Sequence, residues 1–236
     1  LSVLIIFGIL LGMLWMAGVG ITPLGEQPLT SENINQPLGD ANRAEIILAP
    51  SVGILSLGTL SGSEALIAGE VSTGRGQEVC SDYDIQAHTA TYSLRAQNSV
   101  PVPARAWDWD LALGGTVPVD LDVSMGVGKI DLDLESVKTP NLNISQGIGE
   151  IDVIISERSS TDAEISQAIG SITIRIPQGV AVRLSTSKAI SSLQLPSNFE
   201  QRGEYYFSPN YETSNERVTL EISQAIGSIM VKYENK

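Results

Sequence analysis

Residues 143–153 read NISQGIGEIDV and residues 221–231 read EISQAIGSIMV. The likeness of these two stretches decides the fold. Anchored on Val127, the pattern returns at Ile148, Ile169 and Ile190, each 21 residues after the last. It returns again at Ile226 after 36, which is 21 plus an insertion of 15. Self-similarity at a fixed period marks a solenoid, in which no repeat buries its apolar face alone.

The columns around the anchors give the local structure. Three residues on stand Ile130, Ile151, Ile172, Leu193 and Ile229, and five residues on stand Leu132, Val153, Ile174, Leu195 and Val231. Four before stand Val123, Ile144, Ile165, Thr186 and Ile222. Polar residues alternate with them, and a period of two built from Ile, Val and Leu reads as half-buried strand. Successive repeats are expected to stack as parallel rungs about 4.8 Å apart. The anchors count among the apolar columns, so Ile148→Asp is expected to disrupt the rungs on both sides. Small residues flank each anchor, as in Gly147 and Gly149 or Ala225 and Gly227, and let the backbone turn a corner. Ser124, Ser145, Ser166, Ser187 and Ser223 form a column three before the anchor, expected as an internal ladder that satisfies backbone groups at the bend. A degenerate copy anchored on Val52 places Leu48, Leu55 and Leu57 on the same columns.

Of 236 residues, 27 are acidic and 14 basic, for a net charge of −13. Phosphate binding needs Lys and Arg clusters, so nucleic acid is excluded as a partner. The same balance disfavours docking of the domain on anionic lipid. Cys80 is the only cysteine, so no intrachain disulfide forms. Residues 1–21, LSVLIIFGILLGMLWMAGVGI, carry no charge. At about 1.5 Å per residue they match a hydrocarbon core of about 30 Å, and are expected to be one retained, single-pass transmembrane helix. The first basic residue beyond them is Arg43, so the domain is expected on the extracytoplasmic side of the cell membrane. Residues 22–43, with Pro23, Pro28 and Pro37, read as an extended linker, and residues 44–236 as the solenoid domain.

Segments 65–71, 79–85, 89–95 and 106–113 read as strands outside the repeat. Trp107, Trp109, Leu111 and Leu113 share one face of the last and suit a cap over the solenoid's end. The insertion carries Phe199, Tyr205, Tyr206, Phe207 and Tyr211. These aromatics are expected to fold back over the solenoid, and Tyr205, Tyr206, Phe207 and Tyr211 are the candidate partner contacts. Asp120, Asp122, Asp131, Asp133 and Asp152 form a candidate acidic face, read as solvated rather than as a calcium site. His88 is the only histidine, so neither a transition-metal set nor a supported triad is present. No cofactor and no catalytic residue are expected.

The run WDWDLAL at 107–113, VPVDLDVSMGVG at 117–128, and the repeated ISQAIGSI resemble the toast-rack domain of LiaF-like proteins. The resemblance covers about residues 44–233. It implies an all-β solenoid attached to the membrane, and a regulator that restrains a sensor histidine kinase responding to cell-envelope stress. The expected function is a membrane-anchored, non-enzymatic interaction domain whose partner is a sensor kinase or the subunits of a membrane complex. The alternative is a structural, adhesin-like scaffold.

Overall fold

A computed structural model describes residues 30–61, 64–73, 77–98, 108–214 and 216–234. The membrane segment expected at 1–21 and Trp107 lie outside the described residues. Among those described, no helix is long and apolar enough to cross a membrane.

The described chain is all-β. It begins with β1 (Thr30–Pro37), β2 (Arg43–Ala49), β3 (Val52–Leu60), β4 (Ala65–Thr73), β5 (Gln77–Gln86), β6 (Thr89–Asn98) and β7 (Asp108–Gly114). The repeat follows as β8 (Val119–Asp133), β9 (Asn141–Ile154), β10 (Thr161–Ile176) and β11 (Ala181–Gln194). The short β12 (Glu200–Arg202) and β13 (Tyr205–Phe207) precede β14 (Arg217–Tyr233). All join one 14-stranded sheet.

Each long strand is a bent rung with two arms. In β8, Val119, Leu121, Val123 and Met125 point inward before the corner, and Ile130 and Leu132 point inward after it. Inward positions are two apart within an arm but five apart across the corner, so the corner reverses the parity of the strand. The anchor residue falls inside that reversal and faces out. Val127, Ile148, Ile169 and Ile226 are 46%, 48%, 43% and 45% exposed, and Ile190 is 73% exposed. The anchor column is therefore an outer ridge, and the expectation for Ile148→Asp is overturned. The core lies between the arms, filled by the columns four before and three and five after the anchor.

The corner is closed by glutamine instead of serine. Two before the anchor, Gln146, Gln167 and Gln224 are buried. Gln167 Nε2 donates to Gln146 Oε1 at 2.7 Å, and Gln224 Nε2 donates to Gln167 Oε1 at 2.6 Å. Each amide also donates to the glycine carbonyl of the neighbouring rung: Gly128 at 3.0 Å, Gly149 at 3.0 Å and Gly170 at 3.1 Å. The serine column lies outside, with Ser145, Ser187 and Ser223 exposed, so it is not an internal ladder. At Gly149 φ is 147°, and a Cβ there would stand 1.7 Å from the Gly128 carbonyl oxygen. Only glycine fits so close an approach.

The copy at Val52 is confirmed in register. β2 pairs with the first arm of β8, Leu48 opposite Val123, and β3 with the second, Val52 opposite Val127 and Leu57 opposite Leu132. β6 and β7 continue the two arms beside β2 and β3. Residues 30–37, expected within the linker, instead form β1 and pair with β4. Ile34 is buried there, and Pro37 ends an edge strand, where a missing N–H is tolerated.

The rungs do not stack in chain order. β14 lies between β10 and β11, with Ile226 opposite both Ile169 and Ile190. The insertion forms the β12–β13 hairpin, which pairs with Arg183–Ser185 of β11. Aromatics fold back as expected, but onto the sheet's edge instead of its face.

Candidate interaction surfaces

The five aspartates do not form one face. Asp120 and Asp122 project from the outer side of the first arm, while Asp131, Asp133 and Asp152 project from the second, beyond the corner. Each is met locally. Asp120 accepts from Arg43 Nε at 2.9 Å and from Asn141 at 2.7 Å, and Asp122 accepts from Asn143 at 2.8 Å. Lys129 stands 3.1 Å from Asp131, and this hydrogen bond raises the lysine's pKa. Asp152 pairs with Arg175, and Asp133 accepts from the Glu135 amide at 3.2 Å. Among the described residues no group of His, Cys, Asp and Glu is placed to hold a metal. The strands bring like positions together, but the corner divides them.

The aromatic candidates are brought together. Strand alternation splits them, with Tyr206 packed against the core and Tyr205 and Phe207 on the outer side, their ring centroids 6.3 Å apart. Phe207 meets Tyr211 edge-on at 5.0 Å. Three arginines cover these rings: Arg183 over Tyr205 at 5.3 Å, Arg202 over Phe207 at 5.2 Å and Arg217 over Tyr211 at 5.1 Å. Arg202 is also held by Glu200 and Glu212. The result is an arginine–aromatic patch at one end of the protein, its guanidinium charge met in part by Glu200 and Glu212. A polar groove across the first arm, with Asp162, Glu164 and Glu221 on its walls, runs to Arg183. Sequence reading found the aromatics but missed the arginines, since only the hairpin brings Arg183 and Arg202 to them.

Other singled-out residues carry no chemistry. Trp109 is buried in the core, as a strand aromatic should be. His88 sits with Ala87 in the tight β5–β6 turn, both at positive φ, which suits a two-residue hairpin. Cys80 is exposed and free.

Bent parallel rungs, stacked through a glycine corner, define a toast-rack β-solenoid. Residues 25–175 match the N-terminal domain of toast_rack, and residues 141–231 match the C-terminal region of the cell wall-active antibiotics response protein LiaF. The chain belongs to the toast-rack family of LiaF-like domains. Its fold is similar to that of a proposed cell adhesion protein from Clostridium sporogenes, with a TM-score of 0.78 at 19% identity, covering 88% of this chain and 100% of that one. A proposed adhesin from Bacteroides fragilis matches at a TM-score of 0.28 and 9% identity, over 87% of this chain and 97% of that one. No curated protein matches the sequence.

Proposed function

We propose that this chain is a membrane-anchored interaction domain that regulates envelope-stress signalling in the manner of LiaF, with no catalytic step of its own. The observation that carries this reading is the LiaF-like match over 141–231. That stretch spans β9 to β14 and so includes the inserted strand and the arginine–aromatic patch. The partner is a sensor histidine kinase, and Tyr205, Phe207 and Tyr211 with Arg183 and Arg202 are its contact. Aromatic and arginine side chains dominate such contacts. The anchor is residues 1–21, and the late first basic residue, Arg43, supports an extracytoplasmic domain.

Affinity purification of the full chain in mild detergent tests the partner. A kinase should co-purify, and Tyr205→Ala with Phe207→Ala should weaken its recovery about 10-fold or more at unchanged thermal stability. An envelope-stress reporter that does not respond to deletion of the gene would refute regulation. The second reading, a structural or adhesin-like scaffold, is favoured by open strand edges: among the described residues β1, β5 and the second arm of β11 each pair on one side only. Open edges accept further strands. Recovery of a stoichiometric complex without a kinase would select it.

A further inference from the structure

The outer ridge at the corner is unusual for an acidic protein. It runs Val127, Ile148, Ile169, Ile226, Ile190 in spatial order, each close to half exposed or more. On the preceding rung Ile54 is also exposed. Contiguous exposed apolar residues on a soluble domain mark a surface that something covers. The charge pattern agrees. From three before to two after the anchor, six rungs contribute only Lys129, Glu150 and Lys188 as charged residues, although the chain's net charge is −13. The acids lie on the outer sides of the arms and on the loops opposite the corner, such as Glu135 and Glu157. Net charge therefore does not describe this edge, which offers lipid an apolar and nearly uncharged surface.

The position where the chain joins the fold says what covers the ridge. Thr30 is opposite Thr73, and Val71 in the same strand is opposite Trp109. Trp109 is opposite Leu55, and Leu55 opposite Ile130. Counting back two residues puts Thr30 level with Gly128, at the corner. β1 thus starts at the ridge's own edge and runs away from it. Between residue 21 and Thr30 lie eight residues, which span at most about 28 Å when fully extended. A helix anchored by residues 1–21 therefore keeps the corner edge within about 28 Å of the bilayer, with β1 leading away from it.

We infer that the corner ridge is a lipid-docking edge: the domain lies on the bilayer along Val127, Ile148, Ile169, Ile226 and Ile190, with both arms rising from it. This rests on the anchor proposed above. Attachment is apolar, so it does not depend on anionic headgroups, and the serine column beside the ridge sits at headgroup level. It leaves the polar groove and the arginine–aromatic patch facing away from lipid, free for a partner.

The test uses the full chain in phosphatidylethanolamine–phosphatidylglycerol vesicles. In a Cys80→Ser background, a fluorophore is placed by Ile169→Cys or Ile226→Cys on the ridge, and by Gln178→Cys on the opposite loops. Each labelled protein is first shown to unfold at the parent temperature, and two ridge sites guard against one failing to fold. Lipids with a spin label near the headgroup should quench both ridge labels about three-fold more than the loop label, because an interfacial apolar edge sits about 5–10 Å deep. The quenching should persist at high salt. Carbonate extraction separates the failures. A chain that resists extraction but shows equal quenching at all sites overturns docking and leaves the anchor standing. A chain that is washed off overturns the anchor and the docking with it. A blue shift at the ridge without lipid quenching shows a protein occupant, a second copy included, and also overturns docking.

Discussion

Gln167→Met tests the corner ladder directly. Gln167 Nε2 donates to Gln146 Oε1 and to the Gly149 carbonyl, and its Oε1 accepts from Gln224. A methionine fills the space but donates nothing. Two acceptors lose their donor in a buried corner, at about 1–3 kcal/mol each, and apolar packing of the thioether recovers part of that, for a net loss of roughly 2–4 kcal/mol. At about 2–4 °C per kcal/mol for a domain of this size, Tm should fall by roughly 5–15 °C. Gln146→Met should lose somewhat less: it leaves the Gly128 carbonyl without its donor and Gln167 Nε2 without one acceptor, but the side-chain acceptor it abandons is the weak Met125 sulfur instead of an amide oxygen. Thermal unfolding by circular dichroism on the full chain in detergent reads both. A double-mutant cycle then asks which rung follows β10. Gln167 and Gln224, 57 residues apart, should couple by about 0.5–3 kcal/mol, while Gln167 and Lys188 should be additive. Equal Tm values for Gln167→Met and the parent would refute the ladder. Coupling to Lys188 in place of Gln224 would refute the strand order.

Ile151→Asp buries a carboxylate between the arms and should abolish folding, whereas Ile148→Asp on the ridge should change stability by under about 1 kcal/mol; soluble yield and Tm compare them. Gly149→Ala should destabilise by more than about 3 kcal/mol, since its methyl meets a backbone oxygen and its φ suits glycine; a Tm within a few degrees of the parent would count against the corner geometry. Burial, with help from Glu32, pushes the Tyr92 pKa up to about 12. Folded Tyr92 therefore stays protonated where the unfolded residue ionises, so its contribution is full below about pH 10 and is lost as pH rises toward 12. An ultraviolet titration should show a late tyrosine that Tyr92→Phe removes.

The period made much of the fold legible. It fixed which residues are equivalent, and every parallel pairing between copies of the repeat keeps that equivalence, the copy at Val52 included. It did not show which rungs touch, because equivalence is the same for any order of stacking. Nor did it show which way the anchor points. Counting period two straight through the corner puts Ile148 with Ile144, on the inside; the odd step between Gln146 and Ile151 is what turns it out. The serine column involves no reversal: alternation from Ile144 alone puts Ser145 outside, and the buried amide of Gln146 takes the role expected of the hydroxyl. The aspartates illustrate a different loss: residues 120–133 lie on one strand, yet the bend sends Asp122 and Asp131 to different sides. The aromatic patch was half legible, since the rings are local in sequence and the arginines that cover them come from β11, β12 and β14.

The order of the rungs nevertheless has a cause in the sequence. β11 is the copy that departs from the pattern, with Thr186 on an apolar column, Lys188 in place of glutamine and Ser191 in place of glycine. Gly53, Gly128, Gly149, Gly170 and Gly227 all turn the corner at positive φ, and Ser191 does not. Its corner still pairs with β14, Lys188 opposite Gln224 and Ser191 opposite Gly227, but no described strand pairs beyond it there, and Lys188 and Ile190 are exposed. An interior rung must fit a neighbour on each side, so β11 placed there would break the glutamine ladder and put an ammonium group beside the buried Gln167 amide. At the edge the same departure has nothing beyond it to disrupt. β14, with Gln224 and Gly227, fits β10 on one side, and its other side tolerates β11. The chain reaches β11 first, yet only β14 can continue the corner from β10, and that requirement places the last strand inside and the imperfect copy at the end.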